Sequence, residues 1–472
     1  MTFDWRRAVV FMHRWLGIAG CTLFVAWFAS GIVMMYARMP ELSPTERQAR
    51  LPPLDLAHAT SGLARLVRES GRDAPDRIVV GMLFGRPVYR LISGRQTSVV
   101  FADDGARLEP LTPEQALVAA REFAPEHAAT VRYDGRLAEP DQWAFEHLAA
   151  LPMHRVALGD ADDSSVYVSE RTGEIVIETT ASSRRLAYAG AILHWLYWTP
   201  FRRHGVVWTQ SIIWLSGAGV VTCLLGLVWG VYTGLKSPYR GWMRWHHGVG
   251  LVFGGVSLAW VFSGLLSMDP WGLSSDGAPT SAQRVAFAGD RVRALNDLDA
   301  RWDDVRRHAP RDSTIVKEIE ITWFRGAPQF SVNGRPMRAV DRDDLMAVAR
   351  AAMPDAAVTD AAWLDDYDSY YYDRQRRAAL PVMRVRYDDP ARTWLYIDAQ
   401  RGTVLRKEDR VSRVDRWLYH GLHSWDFPFL YRRRPLWDIL LILLSLGGIS
   451  SAVTALVPAW RRLRRHARRL YS

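Results

Sequence analysis

Apolar positions in this chain gather into four unbroken runs, separated by long stretches where apolar and polar residues alternate or recur at helical spacing. The runs extend from about Trp15 to Ala37, Gly205 to Leu235, Gly248 to Met268 and Ile439 to Ala459. Each is long enough to cross a bilayer, which takes about 20 apolar residues. The first has too long an apolar part for a signal peptide, and no small-residue cleavage site follows it cleanly. The intervening stretches read as soluble α+β. "IVVGMLFGRPVYRLI" and "IEITWFRGAPQFSVNG" alternate around Gly-containing turns and predict hairpins. "TPEQALVAAREFAP" and "DRDDLMAVARAAMP" predict short helices that start at a Thr or Asp cap and stop at proline.

The pattern repeats. "DSSVYVSERTGEIVIE" has a counterpart in "RTWLYIDAQRGTVLRK", and an offset of 229 puts Tyr167 on Tyr396 and Gly173 on Gly402. In the spans an offset of 233 puts His13 on His246, Gly17 on Gly250, Trp27 on Trp260, Ser30 on Ser263 and Gly31 on Gly264. The expected fold is a four-helix transmembrane bundle made by internal duplication, with two extracytoplasmic α+β domains. Such parallel repeats are related by a pseudo-two-fold axis along the membrane normal. The expected segments are an N-terminus and first span (1–37), a first outer domain (38–185), an interfacial helix and second span (186–235) and a short loop (236–247). A third span (248–268), a second outer domain (269–412), an interfacial helix and fourth span (413–459) and a basic tail (460–472) complete the chain.

Charge orients the bundle. The net charge of +10 is concentrated in the tail "RRLRRHARRLYS" directly after an apolar run, which suits a cytoplasmic membrane flank rather than a nucleic-acid groove. Arg6, Arg7, Lys236, Arg240 and Arg244 fall on the same side, so both termini are expected in the cytoplasm and the outer domains in the periplasm. The 21 tryptophans suit membrane–water interfaces. The two cysteines, Cys21 and Cys223, lie in apolar runs and provide neither a disulfide framework nor a metal site.

Ionisable residues within spans are costly and functional by default. His13 and His246 fall at equal depth near the inner face. Near the outer face, "AILHWLYWTPF" carries His194 and "WLYHGLHSWDFPF" carries His420 and His423. Aligning His194 with His420 pairs those two and leaves His423 and His247 as spares, able to replace a ligand or support one. The span length separates the levels by about 30–35 Å, too far for one metal. The spans offer almost no carboxylates, which disfavours zinc. Paired imidazoles among glycines suit the two axial positions of a b-type haem, one at each level. Arg202, Arg203, Arg432 and Arg433 at the outer ends could pair with haem propionates or an anionic substrate, or with lipid phosphates. His58, His127, His147, His154 and His308 in the outer domains read as surface residues. "GAGVVT" lies within a span and cannot cradle a pyrophosphate.

The segments "HRWLGIAG", "RWHHGVG", "SYYYDRQRRAALPVMRVRYDDPARTWLYIDAQRGTVLR" and "RWLYHGLHSWDFPFLYRRRPLWD" resemble PepSY-associated transmembrane proteins of bacterial inner membranes. Among these the chain is similar to iron-regulated, FoxB-like ferrisiderophore reductases. The resemblance covers nearly the whole chain. It implies four spans, periplasmic PepSY-like domains, two haems b and reduction of an iron(III)–siderophore outside; because the chain has no Gly-rich turn between a strand and a helix, the electrons are expected from a quinol or a cytoplasmic reductase. One departure is the His-x-x-His of the second half, which faces His194 followed by Tyr197 in the first. The competing expectations are a membrane-anchored peptide-binding or protease-modulating protein without redox activity, and a transporter of siderophore or haem.

Overall fold

The computed structural model describes residues 4–69, 74–272, 277–309 and 315–470, so the first three residues and the last two of the tail lie outside it. The chain separates into two compact units. One contains Met1–Met39, Arg185–Ser275 and Val411–Ser472; the other contains Pro40–Arg184 and Asp276–Arg410.

Four helices of the first unit are long and apolar enough to cross a membrane: α1 (Trp5–Met34), α2 (Gly205–Thr233), α3 (Trp242–Leu266) and α4 (Leu436–Leu470). Each packs on two neighbours, in the cyclic order α1–α2–α3–α4. Both chain termini leave at one end of the bundle, here called proximal; the other end is distal. Helices α1, α3 and α4 start earlier than the apolar runs predict, because polar flanks can be helical too, while α2 starts at Gly205 as expected. The Asp4 side chain caps α1 at the Arg7 amide, and α4 continues through the arginine tail, whose residues are good helix formers.

Each of α2 and α4 is preceded by the same irregular lead-in. A short helix (Ala181–Ala187, Arg410–Arg416) passes into a π-helical turn (Tyr188–Ile192, Trp417–Gly421). The backbone then turns left-handed at Leu196 (φ 54°) and Trp425 (φ 51°). Positive φ at such bulky residues is uncommon and persists only where the surroundings enforce it. The indole N–H groups of Trp208 and Trp437 each donate 3.0 Å to a carbonyl of the lead-in, those of Trp195 and Ser424. Every one of these features recurs at an offset of 229.

The second unit is built on three antiparallel sheets. One half supplies β1 (Arg77–Leu83), β2 (Arg86–Ser93), β3 (Gln96–Phe101), β4 (Arg132–Leu137), β5 (Met153–Ala157), β6 (Ser165–Ser169) and β7 (Ile175–Thr179). The other supplies β8 (Ile319–Phe324), β9 (Ala327–Val332), β10 (Arg335–Pro336), β11 (Val358–Leu364), β12 (Val382–Tyr387), β13 (Trp394–Asp398) and β14 (Val404–Glu408). The predicted hairpins are β1–β2 and β8–β9. Each turns on two residues with positive φ, Phe84–Gly85 and Arg325–Gly326, which is the backbone a two-residue hairpin requires. The predicted helices are Pro113–Phe123 and Arg342–Ala351, capped by Thr112 and Asp341.

Strands β4–β7 and β11–β14 form one sheet per half, but β1 pairs with β8 in a single six-stranded sheet of order β10-β9-β8-β1-β2-β3. The expected outer domains 38–185 and 269–412 are therefore not independent: they share a sheet and its core, in which Leu63, Val80, Leu298, Trp302 and Ile321 are buried together. A second expectation also changes. His154 is buried, not on the surface, with its ring nitrogens 2.9 Å from the Leu111 carbonyl and 3.0 Å from the Tyr133 hydroxyl.

The two four-stranded sheets carry one polar cluster each. Tyr167 donates 2.8 Å to Asp141, which Arg155 approaches at 3.4 Å. Tyr396 donates 2.9 Å to Asp368, which Arg384 approaches at 2.9 Å. Burial, reinforced by the adjacent carboxylate, pushes both tyrosine hydroxyls well above their ordinary range, so they remain donors.

Candidate cofactor site

Two histidine pairs occupy the helical bundle, one at each end. At the proximal level His13 of α1 and His246 of α3 face each other across the bundle, with ring centres 6.1 Å apart and planes inclined by 28°. Each ring is fixed by the helix between them. His13 Nδ1 lies 2.9 Å from the Thr222 carbonyl of α2, and His246 Nδ1 lies 3.0 Å from the Ser451 carbonyl of α4. A carbonyl can only accept, so Nδ1 carries the proton in both rings, and in the neutral imidazole Nε2 then keeps its lone pair. The approach of His13 depends on a missing side chain: a Cβ at Gly226 would lie 2.6 Å from His13 Cε1.

At the distal level His194 faces His423, with ring centres 6.0 Å apart and planes inclined by 77°. Their Nδ1 atoms lie 3.1 Å from Ser30 Oγ and 3.0 Å from Ser263 Oγ, and also 3.1 and 3.3 Å from the carbonyls of Trp27 and Trp260. Gly31 and Gly264 each stand where a Cβ would touch the facing ring at 3.7 Å. The expected partner of His194 is thus corrected from His420 to His423. His420 lies three residues earlier in the π-helical turn, with its ring against Tyr419 at 4.8 Å. The offset of 229 that aligns the outer strands runs unbroken through this region and aligns His194 with His423.

His247 does not join the proximal pair. It is buried, its Nε2 is 2.9 Å from Thr233 Oγ1, and Tyr239 packs against its ring. Among the outer arginines, Arg202 stacks on Trp208 at 4.4 Å and Tyr197 at 5.0 Å. Arg203, Arg432 and Arg433 are exposed. Ser30 lies seventeen residues after His13 on α1, as Ser263 does after His246 on α3. The levels are therefore about 25 Å apart along the helices, closer than the span length suggests.

A cavity of about 620 Å³ opens on the proximal pair, within the range for small-molecule and cofactor sites. Its walls include Gly17, Gly226, Gly230, Gly250 and Gly254 beside Phe24 and Phe28, and Arg14, Arg240, Arg461, Arg462 and Arg465 also line it. Sequence reasoning assigned Arg240 and the tail arginines to membrane orientation and missed their place on a cavity wall. It also missed the support given by Ser30 and Ser263, although their recurrence inside apolar runs was a visible signal.

The donor set can be tested against metal chemistry. Among the described residues no group of three or more His, Cys, Asp or Glu is placed to hold a metal ion. Two imidazoles bound on opposite sides of one metal, with metal–nitrogen bonds of about 2 Å and ring centres about 1.1 Å behind each nitrogen, stand about 6 Å apart. Both pairs meet that spacing. The buried nitrogens His247 Nδ1 and Trp260 Nε1 are among those with no hydrogen-bond partner among the described residues, and such groups normally find one. A flat macrocycle with polar edges and two open axial positions fits this set. No family model matches the chain, and no curated protein matches it.

Proposed function

We propose that this chain is a di-haem b electron-transfer protein of the bacterial inner membrane, of the PepSY-associated, FoxB-like kind, that reduces an iron(III)–siderophore in the periplasm and releases Fe(II). The observation that carries the reading is the facing histidine pair at two depths, with centres 6.1 and 6.0 Å apart. His13 with His246 and His194 with His423 would hold one haem b each; bound there, the two haems supply one-electron Fe(III)/Fe(II) couples.

The chain's own residues do the rest. Main-chain carbonyls and serine hydroxyls fix each Nδ1–H, which orients the rings and presents Nε2 as the ligating atom. Gly226 gives His13 its room. The proximal arginines on the cavity wall are placed to offset propionate charge. The distal arginines Arg203, Arg432 and Arg433 offer cationic contacts to an anionic chelate.

Lysine and arginine counts favour both termini in the cytoplasm and the α+β unit in the periplasm. "GAGVVT" lies inside α2, so electrons come from a quinol or a cytoplasmic reductase. Delivering an electron to the chelate converts Fe(III) to Fe(II), which hard oxygen ligands hold less firmly. A pyridine haemochrome assay on purified protein is expected to give two non-covalent haems b per chain. A ratio near zero sinks the electron-transfer reading, and a ratio near one removes one level.

A further inference from the structure

The two levels hold their histidines by different means. At the proximal level each Nδ1 meets a main-chain carbonyl of a neighbouring helix. At the distal level each meets a serine hydroxyl, and both serines are almost completely buried, Ser30 at 1% and Ser263 at 0% exposure. Neither hydroxyl is free to donate to the ring. Ser30 Oγ donates 2.6 Å to the Ala26 carbonyl and Ser263 Oγ donates 2.9 Å to the Trp260 carbonyl. A serine has one proton, so each oxygen accepts from Nδ1–H.

We propose that Ser30 and Ser263 are positioning residues that set the reduction potential of the distal site through the imidazoles of His194 and His423. This rests on the di-haem reading above. An acceptor on Nδ1–H pushes electron density toward Nε2 and makes it a stronger donor, which favours the ferric over the ferrous state. A hydroxyl whose own proton is committed to a carbonyl is polarised and accepts more strongly. Beside its serine, His194 has the Trp27 carbonyl at 3.1 Å and His423 the Trp260 carbonyl at 3.3 Å.

The test is a redox titration of the full-length haem-loaded protein followed by visible and low-temperature electron paramagnetic resonance spectra. Ser30→Ala and Ser263→Ala should both retain two haems and raise one of the two midpoint potentials. Each shift is up to about tenfold in ferric-over-ferrous preference, or about 59 mV for a one-electron couple. Ser263→Thr, which restores the hydroxyl, should return the potential to its original value. Should Ser263→Ala lose the distal haem, recovery of both haem and potential in Ser263→Thr supports the proposal, and failure to recover overturns it. Two retained haems with both potentials unmoved would overturn this inference alone. A parent protein without haem would instead overturn the di-haem reading beneath it.

Discussion

The proximal and distal histidine pairs have nearly equal ring separations but are built from unlike material. The proximal rings project from the regular helices α1 and α3 and lean on the carbonyls of α2 and α4. Every part of that site is a rigid rod, and the tolerance is set by close approach, as the contact between Gly226 and His13 shows. The distal rings come from the π-helical lead-ins, where a left-handed residue follows each histidine two positions on. There the position is set by local backbone irregularity and by serines on α1 and α3. π-turns are frequent at functional sites because they re-aim one side chain without breaking the helix. One chain has thus produced the same pair spacing twice, once by packing and once by backbone geometry.

The largest effects should come from the histidines themselves. His423→Ala is expected to remove the distal haem completely while His420→Ala keeps it, with the proximal haem unchanged in both; difference spectra of the purified variants check this. Retention of the distal haem in His423→Ala would break the pairing drawn here. Next in size is Gly226→Ala. Overpacking of this kind costs about 1–3 kcal/mol, so proximal haem affinity should fall by roughly five- to a hundred-fold, with the distal level unaffected. Ala455, which lies 229 residues on and lines the same cavity, should accept glycine with little change. Equal loss at both levels from Gly226→Ala would mean that the two sites do not report separate kinds of construction.

The effect that leaves the haem levels untouched lies outside the bundle. Asp368→Ala leaves the Tyr396 hydroxyl without its acceptor, at a cost of about 1–3 kcal/mol in stability. The measurement is a lower Tm by tryptophan fluorescence, with both haems and their potentials unchanged. A change in haem content here would blur the separation of stability from the site.

Much of this could be read from residue order. Apolar runs of bilayer length gave the four helices, and alternation about Gly turns gave β1–β2 and β8–β9. The 233 offset brought His13 to His246. What failed at the distal level was the register. Matching the first histidine of "YHGLHS" to that of "LHWLYW" moved the alignment by three residues, although the strands on one side already fixed 229. A π-turn adds a residue to a helical turn, so helical spacing alone offers no guide through it. The six-stranded sheet was illegible for another reason. Its joining ladder is made of main-chain hydrogen bonds between β1 and β8, and backbone groups leave no mark in composition.

That ladder has one more consequence. Its register pairs Ile78 with Ile321, Val79 with Glu320 and Val80 with Ile319. When the two hairpin turns are superposed, Val79 falls on Glu320, so the ladder maps onto itself under exchange of the halves. This is the geometry of an isologous contact, in which one edge meets a copy of itself. A chain of half this length would present β1 as an unpaired edge, and an identical neighbour is the partner that fits it. In this chain that meeting is intramolecular, and the two halves differ at matched positions such as Gly226 against Ala455 and Tyr197 against Asp426.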